Sequence, residues 1–112
     1  MPSDTLHPAP VLAPTGDIDL ATSRDLASRL AELAGEPGDA VLDLSEVGFM
    51  DSVGLGVVLK AVQRYKRQDK VLVLVVPEEH NVHRLLELAG AVGRVTQEPT
   101  REQALARANA RR

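Results

Sequence analysis

Cysteine is absent from the 112 residues, so neither a disulfide framework nor a thiolate metal site is available, and a reducing compartment suits the chain. Tryptophan is absent too, and one Tyr with one Phe brings the aromatic share to 2%, which leaves no stacking platforms for bases. Net charge is −3, so there is no surplus of cations to line a groove for a phosphate backbone, and direct nucleic-acid binding is not expected. The longest apolar run, Val71 to Val76, is far shorter than the roughly 20 residues of a membrane span. Met1 to Pro10 holds Asp4 and prolines but no Lys or Arg, so the basic-then-apolar order of a secretory signal is missing. These absences point to the cytoplasm and away from the membrane.

What is present is ordinary globular material. Hydrophobic residues make up 44% and charged residues 26%, and a chain of this length has room for one domain with one modest core. Residues 1–10 read as a loose lead-in and residues 11–112 as the domain. Val11 to Ala13 begins a strand that Pro14 limits, and Asp17 to Leu20 is a short alternating segment. Thr22 with Asp25 has the spacing of a capping box ahead of Leu26, Leu30 and Leu33, which predicts an amphipathic helix over 22–34. Gly35, Pro37 and Gly38 close it. Ala40 to Leu44 reads as an internal strand despite Asp43, and Ser45 to Met50 as a loop.

Leu55, Val58, Leu59 and Val62 then mark the buried face of a helix over 52–67. Its late cations, Lys60, Arg64, Lys66, Arg67 and Lys70, suit a helix C-terminal dipole. Val71 to Val76 is a central strand closed by Pro77. Asn81 to Leu88 forms a third helix stopped by Gly90, and Val92 to Gln97 a last strand. Thr100 caps a fourth helix whose Arg107, Arg111 and Arg112 complement its dipole. The alternation of strands and helices implies a small α/β sheet with right-handed crossovers.

The segment from Phe49 to Val57, FMDSVGLGV, is chemically unusual. Two glycines early in a helix each cost up to roughly 1 kcal/mol against alanine, which implies close approach by a partner backbone. Ser52 falls at the helix start, where free N–H groups and the dipole receive an anion such as a phosphate. On the residues alone, the plainer account is an N-cap at Asp51 or Ser52 worth about 1 kcal/mol, with Gly54 and Gly56 serving tight packing.

The stretch FMDSVGLGVVLKA, following the strand VLDLSEV, resembles the phosphorylation-site region of STAS-domain anti-sigma factor antagonists. Gly16 to Thr22, GDIDLAT, is similar to that family's turn before its first helix, and the resemblance extends over residues 11–106. It implies a STAS-like small mixed sheet of about four to five strands with about four helices packed on it. It also implies a bacterial, cytoplasmic phosphoprotein that regulates transcription by partner switching. Such a protein binds an anti-sigma factor of the serine-kinase type, releases a sigma factor, and is inactivated by phosphorylation and restored by a serine phosphatase. Ser52 would be the phosphorylated residue, with Val53 where many relatives carry a second hydroxyl. Asp19, Asp51, Ser52, Val53, Gly54, Leu55 and Gly56 would form the partner surface, with Leu55 equally suited to the core. No catalytic residue, metal or cofactor is implied, and a free monomer that becomes heteromeric in complex is expected.

Other readings are weaker on the residues. Ser52 has no histidine or lysine placed to activate it and lies in no G-x-S-x-G elbow, so hydrolase chemistry is not expected. Asp17, Asp19 and Asp51 could hold Mg²⁺ for aspartyl phosphorylation, but Pro77, Glu78 and Glu79 follow the late strand where a lysine loop would be needed. His80 and His83 have a zinc-compatible spacing but make an incomplete site, and they read as exposed histidines on a polar face. His7 carries no signal. The alternative within the family is a STAS scaffold or regulatory subunit of a stress-signalling complex or lipid transporter.

Overall fold

The computed structural model describes residues 8–110. The elements run β1 (Val11–Leu12), β2 (Gly16–Ile18), α1 (Ser23–Ala34), β3 (Ala40–Asp43), β4 (Val47–Met50), α2 (Ser52–Arg67), β5 (Leu72–Val75), α3 (Asn81–Leu88), a 3₁₀ turn (Val92–Arg94), β6 (Thr96–Glu98) and α4 (Arg101–Asn109). β3 and β5 are buried along their whole length, and strands with no polar face need cover on both sides. They occupy the middle of a four-stranded sheet of order β1-β3-β5-β6, while β2 and β4 form a separate pair. Every pairing is parallel. The α/β class and the four helices are as the sequence implies, with the strands divided four plus two.

The alternation of side chains along β3 and β5 sorts the helices into two layers. Ala40, Leu42, Leu44, Leu72, Leu74 and Val76 meet α1, α2 and α3 in the main core. Val41, Val73 and Val75 point the other way, onto Ala9 and onto Ala104 and Ala108 of α4. With alanine as its buried residue, α4 lies close to the sheet but buries little apolar area, so polar contacts supplement its attachment.

Asp43 supplies the main one. This residue, which interrupts an otherwise apolar strand, faces the α4 side and is 3% exposed. Its carboxylate accepts from the Ser45 hydroxyl at 2.6 Å, the Ser45 amide at 2.9 Å and Arg101 Nε at 2.7 Å. Burial pushes its pKa up, but the Ser45 hydrogen bonds and the Arg101 guanidinium together outweigh burial and hold it below the ordinary aspartate range. Arg107 makes a second anchor with Glu98 at 2.6 Å, and Asn109 Oδ1 accepts from the Ala9 amide at 2.8 Å.

Several local expectations are corrected. Ser45 to Met50 is a loop only at its start, because Val47 and Met50 turn inward and the segment pairs with β2 as β4. Val92 to Arg94 is a 3₁₀ turn closed by Arg94 N–H to Ala91 O at 2.9 Å, so the last strand begins at Thr96. The Thr22–Asp25 capping box does not form; Asp19 accepts from the amides of Ala21 and Thr22 at 3.0 and 3.1 Å instead. Thr100 does cap α4, accepting from the Gln103 amide at 3.2 Å.

Among the late cations, Lys70 Nζ donates to Ala34 O and Glu36 O at 2.9 Å each and lies 4.9 Å from the Tyr65 ring centre. It thereby supplies the positive charge that the last turn of α1 lacks. Ala9, in the described end of the lead-in, is buried. The first seven residues, His7 among them, and the C-terminal Arg111 and Arg112 lie outside the described residues.

Because its folded-state pKa is depressed, Asp43 contributes stability above its unfolded-state pKa of about 3.9. That contribution is lost as pH falls through the lower folded value. Asp43→Asn is expected to lower unfolding free energy by about 1–3 kcal/mol near pH 7. The deficit should shrink on acidification below the unfolded value. Urea denaturation of both proteins across that range measures it; a deficit constant with pH would mean the charge is not what matters.

Candidate functional site

The segment between β4 and α2 is held by a seam to β2. β2 and β4 pair in the register Asp17 with Phe49 and Ile18 with Met50. One residue on, the Asp51 amide donates to Ile18 O at 3.1 Å, extending the contact past the end of the strands. Asp51 has an extended backbone, and its carboxylate accepts from the Gly54 amide at 2.9 Å as the N-cap of α2. Its carbonyl accepts from the Leu55 amide at 2.9 Å.

Ser52 is therefore the first helical residue, and it is exposed. The amides of Ser52 and Val53 meet no acceptor among the described residues. A helix N-terminus with two free N–H groups and an exposed hydroxyl suits a covalently attached anion.

Gly54 explains why the seam is so tight. A Cβ at this position would lie 2.7 Å from Ile18 Cγ2, 2.8 Å from Ile18 O and 3.0 Å from Met50 Cγ. The expectation that the glycines admit a partner backbone is corrected at Gly54, where the close approach is internal, between α2 and β2. Gly56 is different, since a Cβ there would meet nothing within 4 Å. Gly54 and Leu55 are both buried, which removes them from the surface a partner can touch. Val53 and Gly56 remain accessible.

The two aspartates have defined duties. Asp51 caps α2, and Asp19 Oδ1 holds the turn before α1, with Thr22 Oγ1 donating to Asp17 O at 2.8 Å. Neither carboxylate is idle, which weakens an Mg²⁺ reading of the acidic residues.

α3 braces the same region. His80 Nδ1 accepts from the Val82 amide at 3.0 Å as the N-cap of α3. The proton therefore sits on Nε2, which donates to Val47 O at 2.7 Å. Asn81 Nδ2 donates to Gly48 O at 3.0 Å. The expectation of an exposed His80 is thus corrected: it is half-buried with both ring nitrogens engaged, so neither is available to zinc. His83 pairs instead with Glu87, at 3.7 Å.

Besides Val53, expected on the partner surface from the sequence, two exposed apolar residues on the seam segments were missed, Leu20 and Phe49. Leu20, in the turn after β2, is 75% exposed; Phe49, in β4, is 50% exposed; and Val53 is 42% exposed. All three branch from the seam. The one available signal was that the chain's single phenylalanine lies outside every amphipathic pattern.

A family model for the STAS domain matches residues 3–104. No curated protein matches the chain. Among solved structures, the chain is similar to an anti-sigma factor antagonist from Mycobacterium paratuberculosis at 27% identity and TM-score 0.73, covering 88% of this chain and 83% of that one. It is similar in fold to the phosphorylated form of the Bacillus cell fate determinant SpoIIAA, at 19% identity and TM-score 0.65 over 87% of each chain. It is similar in fold, too, to a sulfate transporter family protein from Wolinella succinogenes at 15% identity and TM-score 0.78, covering 91% and 85%.

The glycine geometry gives opposite expectations for two identical changes. Gly54→Ala is expected to destabilise the protein by about 1–3 kcal/mol through overpacking against Ile18. Gly56→Ala should stabilise it by up to about 1 kcal/mol, since the helix gains alanine's propensity at no steric cost. Paired urea denaturation curves test both; equal effects would show that the seam is not tight.

Proposed function

This chain belongs to the STAS-domain family, and from that premise we propose that it is an anti-sigma factor antagonist whose binding is switched off by phosphorylation of Ser52. The observation that carries the reading is the exposed Ser52 hydroxyl on the first residue of α2, beside two free amides, with exposed Val53 next in the helix and exposed Leu20 and Phe49 on the segments that pair to form the seam. The likeness to the Mycobacterium paratuberculosis antagonist supports it. The likeness to a transporter-family protein carries the fold alone. Among the described residues no helix is long and apolar enough to cross a membrane.

In this reading the output is binding. The apolar residues around Ser52 are covered by an anti-sigma factor of the serine-kinase type, and coverage of an aromatic anchor is worth more than rim contacts. That kinase transfers the γ-phosphoryl group of ATP to Ser52 Oγ; the serine proton leaves with a kinase base, and ADP is released. The product carries about −1.5 to −2 charges where a neutral hydroxyl stood.

The Ser52 and Val53 amides and the α2 dipole accommodate that charge in the free protein. The change is therefore local: a surface matched to a hydroxyl becomes one that repels the same partner, next to carboxylates already present at Asp19 and Asp51. A serine phosphatase reverses it by hydrolysis. The proposed site comprises Ser52, with Val53, Gly56, Phe49 and Leu20 as its accessible surround. Asp19 and Asp51 shape it.

Incubation with ATP and each candidate kinase of the source organism, followed by intact-mass measurement, should add one phosphate to the wild type and none to Ser52→Ala. Ser52→Ala should bind the kinase constitutively and Ser52→Asp weakly. Phe49→Ala should weaken binding by on the order of tenfold or more without unfolding the chain. Equal binding by Ser52→Ala and Ser52→Asp would overturn the switch.

A further inference from the structure

α1 and α2 pack side by side over the main core, and the small side chains at their contact leave a furrow on the outer surface. Ala27 and Ala31 of α1 and Val57 and Ala61 of α2 wall it above Leu30, around a volume of about 200 Å³. Pockets that enclose small-molecule ligands start at roughly 300 Å³. An open furrow of the smaller size takes a ridge of side chains rather than a whole ligand.

Its rim is cationic. Lys60 and Arg64 stand one turn apart on α2, a like-charge spacing that works against the helix. α2 contains no acidic residue from Ser52 to Arg67 to offset them. Neither residue has an ion pair or hydrogen bond among the described residues. The C-terminal dipole accounts for Arg64, Lys66 and Arg67 in the last turn, but Lys60 lies before that turn. By contrast, Lys66 donates to Arg94 O and Lys70 to Ala34 O and Glu36 O. Lys60 and Arg64 thus have no side-chain or carbonyl partner among the described residues, and Lys60 is not explained by the dipole either; both stand beside an apolar furrow.

We propose that this furrow docks an acidic amphipathic helix from a protein partner. A ridge of small or aliphatic side chains would seat between α1 and α2, flanked by Asp or Glu residues one turn apart that pair with Lys60 and Arg64. The furrow continues a face of α2 that starts at Val53, next to Ser52, since Val53, Val57, Lys60 and Arg64 follow at three- and four-residue intervals. One partner can therefore span both regions. The docking rests on the chemistry of the furrow and not on the role of Ser52.

The probes are two synthetic helical peptides of about 15 residues, roughly four turns, with the same leucine and alanine ridge but Glu flanks in one and Lys flanks in the other. Amide NMR titration of the whole chain should give shifts clustered on α1 and α2 with the Glu peptide and none with the Lys peptide. The paired change Lys60→Glu and Arg64→Glu should weaken Glu-peptide binding on the order of tenfold or more. Ala31→Phe, which fills the furrow from an exposed position, should abolish it. Circular dichroism checks that each variant is folded, and the charge-reversal pair decides if Ala31→Phe is not. No response to the Glu peptide, an equal response to both peptides, or shifts centred elsewhere would overturn the proposal. So would furrow shifts induced by decanoate but not by the Glu peptide, which would assign the site to a small amphiphile.

Discussion

The structure around Ser52 depends on one contact: the first turn of α2 lying directly on the backbone of β2. Ile18 O takes the Asp51 amide, and Gly54 has no room for a β-carbon against Ile18. This contact fixes where α2 begins, and the N-cap at Asp51 then makes Ser52 the first helical residue. Had the helix begun one residue earlier or later, rotation by about 100° per residue would turn the hydroxyl away from its present exposed face. The seam thus converts a packing requirement into the placement of an exposed hydroxyl.

Polar residues that interrupt apolar patterns turn out to be fasteners between layers. Asp43 faces the poorly apolar side of the sheet and ties down α4 through Arg101. His80 and Asn81 tie α3 to the carbonyls of β4. Lys70 closes the C-terminus of α1 from beyond the end of α2. Each engages groups that would otherwise be left without partners at a helix end or a sheet edge, where an unmet polar group is costly. His80 and Asn81 brace β4 next to the Ser52 segment, so a change at Ser52 meets a firm background. That firmness suits a switch that acts by altering surface chemistry instead of backbone conformation.

The surface of α2 divides by function along its length. Its first turn carries Ser52 among exposed apolar side chains, and its middle carries two unpaired cations over a furrow. A phosphoryl group at the first and an acidic helix at the second, as proposed, both place an anion on α2, met by backbone amides at the N-terminus and by cationic side chains further along. The helix dipole reinforces this order, since its N-terminus favours anions and its C-terminus cations.

Much of the architecture was legible in the residues themselves. The buried runs at Ala40–Leu44 and Val71–Val76, the helical periodicity from Leu55 to Val62 and the Thr100 cap have local causes, in side-chain alternation, helical spacing and capping chemistry. Ser52 at a helix start belongs with them, because Asp and Ser before an amphipathic run have little other use. The family resemblance extended that reading to a role. What the sequence could not determine depends on partners distant along the chain. β4 forms only because β2 lies beside it, Asp19 displaces the Thr22–Asp25 cap because of how the turn folds, and His80 is drawn inward by Val47 O. Gly54 and Gly56 look identical in sequence, yet one faces Ile18 and the other open space. Local pattern fixes which face a residue takes on its own element; only tertiary packing decides what stands opposite that face.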